Sequence, residues 1–144
     1  MPNDKRRGAA NHEAGHAVVA WAVGCKVIAM CIEENGDGRT DTECDLRRMP
    51  FIDRLAFEYA GEVAQAMFDA RTHEMAAAYD WGGVDSLLLG LSDKIREQLR
   101  VAGTRRAREA LEHYRQNVER VATYLIAHGK LDAETFIRLF LNKN

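Results

Sequence analysis

His12 and His16 stand four residues apart with Glu13 beside the first of them, in the run His12-Glu13-Ala14-Gly15-His16. On a helix that spacing is about 6 Å of rise and leaves both imidazoles on one face, where they reach a single metal ion. Imidazole nitrogen suits Zn²⁺, and a carboxylate next to the first histidine lies beside the ion without being forced to bind it. The chemistry this trio fits is hydrolysis. The metal lowers the pKa of a bound water toward ~7, and the carboxylate takes the water's proton as it attacks an amide carbonyl.

The residues after His16, Ala17-Val18-Val19-Ala20-Trp21-Ala22-Val23, are strongly apolar, so the motif belongs to a helix packed into a core. Gly15 within it costs roughly 1 kcal/mol relative to alanine and marks a close approach. Asp4 as N-cap and Gly24 as left-handed C-cap bound this first helix at about residues 4–23. Lys26 to Ile32 is short and rich in branched residues, which predicts a strand, and the turn-forming Glu33 to Gly38 sends Arg39 to Glu43 back as its hairpin partner. Pro50 opens a second long helix to about Ala70, with Leu55, Tyr59, Val63, Met67 and Phe68 as its buried stripe. Val84 to Leu91 reads as a short buried helix. From Ser92 a helical pattern runs through Leu99, Leu111, Val118 and Leu125 to Gly129, with a break near Gly103, and Asp132 caps a last helix to Leu141. The fold class is mainly α (α+β), one domain over residues 1–144 with a small β-hairpin after the first helix.

Composition narrows the function. Hydrophobic residues make up 47% of the 144 and charged residues 29%, too apolar for a disordered chain. A net charge of −2 gives no electrostatic case for nucleic acid or an anionic membrane. Cys25, Cys31 and Cys44 are odd in number and form no C-x-x-C pair, which predicts reduced thiols and a cytoplasmic location. The N-terminus has no apolar segment of the signal-peptide kind, and Ala17 to Ile32 is too short and too interrupted by Lys26 to span a membrane. Arg100, Arg105, Arg106, Arg108, Arg115 and Arg120 are interleaved with glutamates, the pattern of a solvated helix face with intrahelical ion pairs. His73-Glu74 completes no second motif, because position 77 is alanine.

Two histidines and a water leave a tetrahedral zinc one ligand short. No H-x-x-G-x-x-H continuation follows His12, so the metzincin arrangement is excluded and a remote carboxylate is required. Glu58 and Glu62 share a face of the second long helix, and Asp80 and Asp85 flank the Gly82-Gly83 turn.

The run His12-Glu13-Ala14-Gly15-His16-Ala17-Val18-Val19 resembles the start of the peptidase domain of the FtsH family, membrane-bound AAA+ zinc proteases. Ala60-Gly61-Glu62-Val63-Ala64-Gln65-Ala66-Met67 resembles that family's G-G-R-x-A-E-E helix, and Gly129-Lys130-Leu131-Asp132-Ala133-Glu134 its L-D-G-E-E turn. The resemblance implies an aspartate after a glycine-containing turn as third zinc ligand. Gly82-Gly83-Val84-Asp85-Ser86-Leu87 matches that pattern best, giving His12, His16 and Asp85 as metal ligands, Glu13 as catalytic base and Asp80 in reserve. It further implies a metalloendopeptidase, and the strand at Val27 to Ile32 is expected to align an extended peptide by backbone hydrogen bonds, which suits unfolded polypeptide. Gln65 stands where the family has its first glutamate, and no AAA+ module or membrane segment precedes the motif. The expected partners are therefore a polypeptide substrate and either a separate ATPase or further copies of the chain. The competing expectation is a regulatory domain of the same fold that cleaves nothing.

Overall fold

A computed structural model of the chain describes residues 4–68 and 86–142. Helix α1 (Asp4–Ala22) runs through the middle of the molecule, and Gly8 to Asn11, Glu13 to Gly15 and Ala17 to Ala20 are all buried. Small residues allow this, because a helix covered on nearly every side has no room for long ones. It ends in a Schellman turn: Cys25 N–H donates to Ala20 O at 2.8 Å and Gly24 N–H to Trp21 O at 3.1 Å, with Gly24 at φ 89°.

Strands β1 (Lys26–Ile32) and β2 (Gly38–Glu43) form the expected antiparallel hairpin, with a register shift between Val27 and Ala29. The sheet is larger than the sequence suggests. A third strand, β3 (Lys130–Asp132), pairs antiparallel with Ala29 to Cys31, giving the order β2-β1-β3. Strand β1 is thus central, and over Ala29 to Cys31 its backbone faces strands on both sides, which leaves that stretch no free edge for the expected substrate. Three residues with one apolar side chain, about a hundred positions away in sequence, give no local signal of a strand.

Helix α2 (Phe51–Phe68) buries Leu55, Tyr59 and Val63 against α1 and against α3 (Asp93–His113). Helix α4 (Arg115–His128) and the short α5 (Ala133–Leu141) complete the packing. The break in the long helical stretch falls at Tyr114, with φ −105° and ψ 30°, and not at Gly103. Gly103 lies inside α3 at its crossing with α2, where a Cβ would come within 2.8 Å of Leu55 Cβ and 2.9 Å of Tyr59 Cε2. The glycine marks contact rather than interruption. Tyr114 stacks near Phe140, which packs in turn on Phe136 and Trp21. Of the expected helix from Val84 to Leu91, the described part is a single 3₁₀ turn, Ser86–Leu88, that buries Leu88.

Two further expectations need correction. Cys25 and Cys44 are joined in a disulfide, leaving Cys31 as the free thiol. Lys26 is paired with Glu43, so the residues just outside them fall opposite each other at the hairpin's open end, a relation that cysteine counting does not register. The arginines are also not simply a solvated face. Arg106 Nε donates to Asp53 Oδ1 at 3.1 Å, Arg120 Nε to Leu139 O at 3.1 Å, and the Arg115 guanidinium lies 5.0 Å from the centre of the Phe68 ring. These three tie helices together; Arg100 does pair within its own helix, with Glu97 at 3.9 Å. No helix among the described residues is long and apolar enough to cross a membrane.

Candidate metal centre

The crossing of α1 over α2 sets the geometry of the centre. A Cβ at Gly15 would lie 2.4 Å from Ala64 Cβ and 2.6 Å from Ala60 O, so only glycine lets the helices approach this closely. The close approach lays His12 and His16 over the face of α2 that carries Phe57, Gly61 and Gln65. His12 occupies space that a side chain at 61 would need: a Cβ there would be 2.4 Å from His12 Nε2 and 2.5 Å from Cε1.

Each imidazole is held by its Nδ1. His16 Nδ1 is 2.9 Å from Phe57 O, a carbonyl that only accepts, so His16 carries its proton there and its Nε2 bears a lone pair. His12 Nδ1 is 2.6 Å from Gln65 Oε1, which gives His12 the same tautomer. The two Nε2 atoms are 3.2 Å apart. Two facing lone pairs repel unless a cation joins them. Two zinc–nitrogen bonds of about 2.05 Å at the tetrahedral angle separate their donors by about 3.3 Å, so the pair is spaced as a zinc site needs.

Carboxylates surround the imidazoles. Glu62 is brought to the same point, with one ligand atom from each of His12, His16 and Glu62 lying within 4.8 Å of one another. Glu58 is on the same helix but does not join that cluster. Burial pushes the acids of Glu13, Glu58 and Glu62 upward, and the neighbouring His12 opposes this for Glu13 and Glu62. Burial, with the nearby His12 acting in the same direction, pushes His16 down to about 4 against the pull of the Phe57 carbonyl. Glu13 and Glu62, carboxylates that resist ionising, stand near an imidazole, that of His16, that resists protonation, and a bound cation would offset all three.

Glu13 is buried on α1 and fixed from the sheet. Thr40 Oγ1, on β2, donates to Glu13 Oε1 at 2.8 Å and lies 3.2 Å from Glu13 O. Gly38 on the same strand makes space for it, since a Cβ there would lie 2.8 Å from Glu13 Cγ.

Of the residues predicted from sequence, the fold brings His12, His16 and Glu62 together, with Glu13 near enough to interact electrostatically with His12 and Glu62. Asp85, Asp80 and His73 lie outside the described residues. Phe57, Gly61, Gln65, Gly38 and Thr40 were not anticipated as supports. The first three recur every fourth residue on one face of α2, a spacing that could have been read once that face was known to meet α1; nothing local to Thr40 points to Glu13. No protein-family model and no curated protein matches the chain. The likeness to the FtsH peptidase domain therefore rests on the motifs themselves.

Proposed function

We propose that the chain is a zinc-dependent metalloendopeptidase acting on unfolded or flexible polypeptides, akin to the FtsH peptidase domain. The observation that carries this reading is the pair of Nε2 atoms 3.2 Å apart, each imidazole held through its Nδ1 by an oxygen on α2, with a buried glutamate on the same helix as the histidines. His12 and His16 would hold the ion with a carboxylate, which is Glu62 among the described residues and Asp85 by the family resemblance. When bound, Zn²⁺ supplies the Lewis acid that acidifies water and polarises an amide carbonyl.

The chain's own groups do the rest. Glu13 accepts the proton of the attacking water and returns it to the leaving amine nitrogen. Thr40 occupies Oε1, so Oε2 is the oxygen that carries the proton. Strand β2 takes over the role expected of β1: its outer edge faces no strand among the described residues, it runs past Glu13, and an extended peptide can pair with it through backbone hydrogen bonds. Such pairing reads little sequence, which suits unfolded chains. Folded substrates would have to be unfolded first. A cytoplasmic location belongs to this proposal too, and there the Cys25–Cys44 bond would be a redox-responsive one, since reducing compartments do not keep permanent disulfides.

Zinc stoichiometry measured beside cleavage of fluorescent casein tests the reading. Glu13→Gln should retain zinc and lose casein cleavage, and undiminished cleavage would refute the mechanism. One zinc per wild-type chain without turnover would instead favour a metal-binding domain that cleaves nothing. Zinc titration of Glu62→Gln and Asp85→Ala assigns the third ligand, because the variant that loses affinity identifies it.

A further inference from the structure

Glu13 belongs to α1, but the group that orients its carboxylate is Thr40 on β2. Among the described residues, strand β2 is held along one edge only, by β1, and that ladder shifts register between Val27 and Ala29. An edge strand with an interrupted ladder is the readily opened part of a sheet. Its far end is fastened covalently. Cys44, the residue after β2, is bonded to Cys25, the residue before β1, extending the Lys26–Glu43 pairing by one cross-strand step. The bond can be reached from solvent: Cys25 is buried, but Cys44 is half-buried and lines an open hollow of about 830 Å³ with Gly24, Lys26, Leu46 and Arg47.

We propose that the Cys25–Cys44 disulfide is a redox-controlled clamp that keeps β2, and with it Thr40, in place on Glu13. The reductant is a dithiol. Its thiolate attacks Cys44 Sγ, the Sγ–Sγ bond breaks, and Cys25 leaves as a thiolate that takes up a proton. The second thiol of the reductant then displaces Cys44, so that two electrons pass to the protein and the reductant becomes a disulfide. Oxidation reverses the exchange. Thr40 is a positioning residue in this scheme, because it acts on the reaction only through Glu13.

The activity arm of the test rests on the peptidase reading; the hydrogen-exchange arm does not. Amide exchange is measured on the oxidised protein, on the protein reduced with dithiothreitol, and on the Cys25→Ser/Cys44→Ser double variant. Opening a 19-residue separation by removing its cross-link should speed exchange in β2 about a hundredfold, while α1 and α2 keep their protection. Cobalt affinity should stay within about twofold, since no proposed ligand lies on β2. Casein turnover should fall at least about tenfold on reduction and equally in Thr40→Val, with Thr40→Ser retaining it and reduction of Thr40→Val lowering it no further. Equal β2 exchange in both redox states would overturn the clamp. Independent, multiplying losses from reduction and Thr40→Val would overturn its route through Thr40. If no redox state cleaves casein while β2 exchange still follows the disulfide, the peptidase reading fails and the clamp stands.

Discussion

Gly61→Ala separates the metal centre from the fold that carries it. The added methyl would sit 2.4 Å from His12 Nε2, 2.5 Å from Cε1 and 2.6 Å from Cδ2, over the face of the ring. Carbon contacts are comfortable at about 3.5–4.0 Å, so ring and methyl have to part by about 1 Å. A metal ligand tolerates roughly ±0.2 Å. His12 is also pinned on its other nitrogen by Gln65 at 2.6 Å, so it cannot slide without giving up that bond. Zinc affinity should therefore fall at least roughly 100-fold, about 2.7 kcal/mol. The fold suffers less. Overpacking costs about 1–3 kcal/mol, and alanine returns about 1 kcal/mol of helix propensity, leaving a net loss of about 0–2 kcal/mol. Gly103→Ala provides the contrast, because its methyl meets Leu55 and Tyr59 in the core and touches no proposed ligand. It should lower stability by a similar or larger amount and leave zinc affinity within about twofold. Zinc competition against a chromophoric chelator, beside urea unfolding in EDTA, measures both quantities. A folded Gly61→Ala protein that binds zinc like the wild type would refute the inference that His12 Nε2 is a ligand.

Three further outcomes follow from the same structure. In metal-free protein, His16 is pushed down to about 4 from its ordinary 6.5, so the unfolded chain binds the proton more readily between those values. That contribution is fully present above pH 6.5 and lost as pH falls toward 4, by at most about 3 kcal/mol. The raised acids of Glu13 and Glu62 act in the opposite sense, so the quantity to measure is wild-type stability minus that of His16→Asn, which should shrink across this window; a difference independent of pH would refute the assignment. Glu13→Gln should lower casein turnover by about 10²–10⁴-fold at unchanged zinc stoichiometry, checked by metal analysis of the purified variant. Asp132→Ala removes the cap that accepts from Thr135 N–H at 2.8 Å and should cost about 1 kcal/mol in urea unfolding, with no change in zinc binding.

Much of the local structure was legible because its causes are local. Gly24 closes α1, Ser92 accepts from Ile95 N–H at the start of α3, Asp132 caps α5, and each was readable as a residue type at a helix end. The motif, its helix and the buried run after it were also open to inspection, since the spacing of four that sets His12 and His16 on one face is a property of the helix alone. Sequence thus determined which atoms are available for chemistry and which element presents them.

Only the tertiary structure decided how those atoms are held. Gly15 and Gly103 have the same ambiguous signature in sequence, and both proved to be places where helices touch; the lost Cβ matters only once the partner's position is known. The Nδ1 partners of the histidines come from α2, some forty to fifty residues on, and the partner of Glu13 comes from β2. Glu62, one of several candidate carboxylates in sequence, is the one the described fold carries to the histidines. Strand β3 and the Cys25–Cys44 bond depend in the same way on which segments lie side by side. Residue type and helical period act over a few positions, whereas a hydrogen bond, a disulfide or a shared ligand needs atoms within a few ångströms whatever their separation in the chain. That is why candidate ligands and a candidate base could be named from sequence, while the contacts that hold and bury them came from the packing of α1 against α2 and β2.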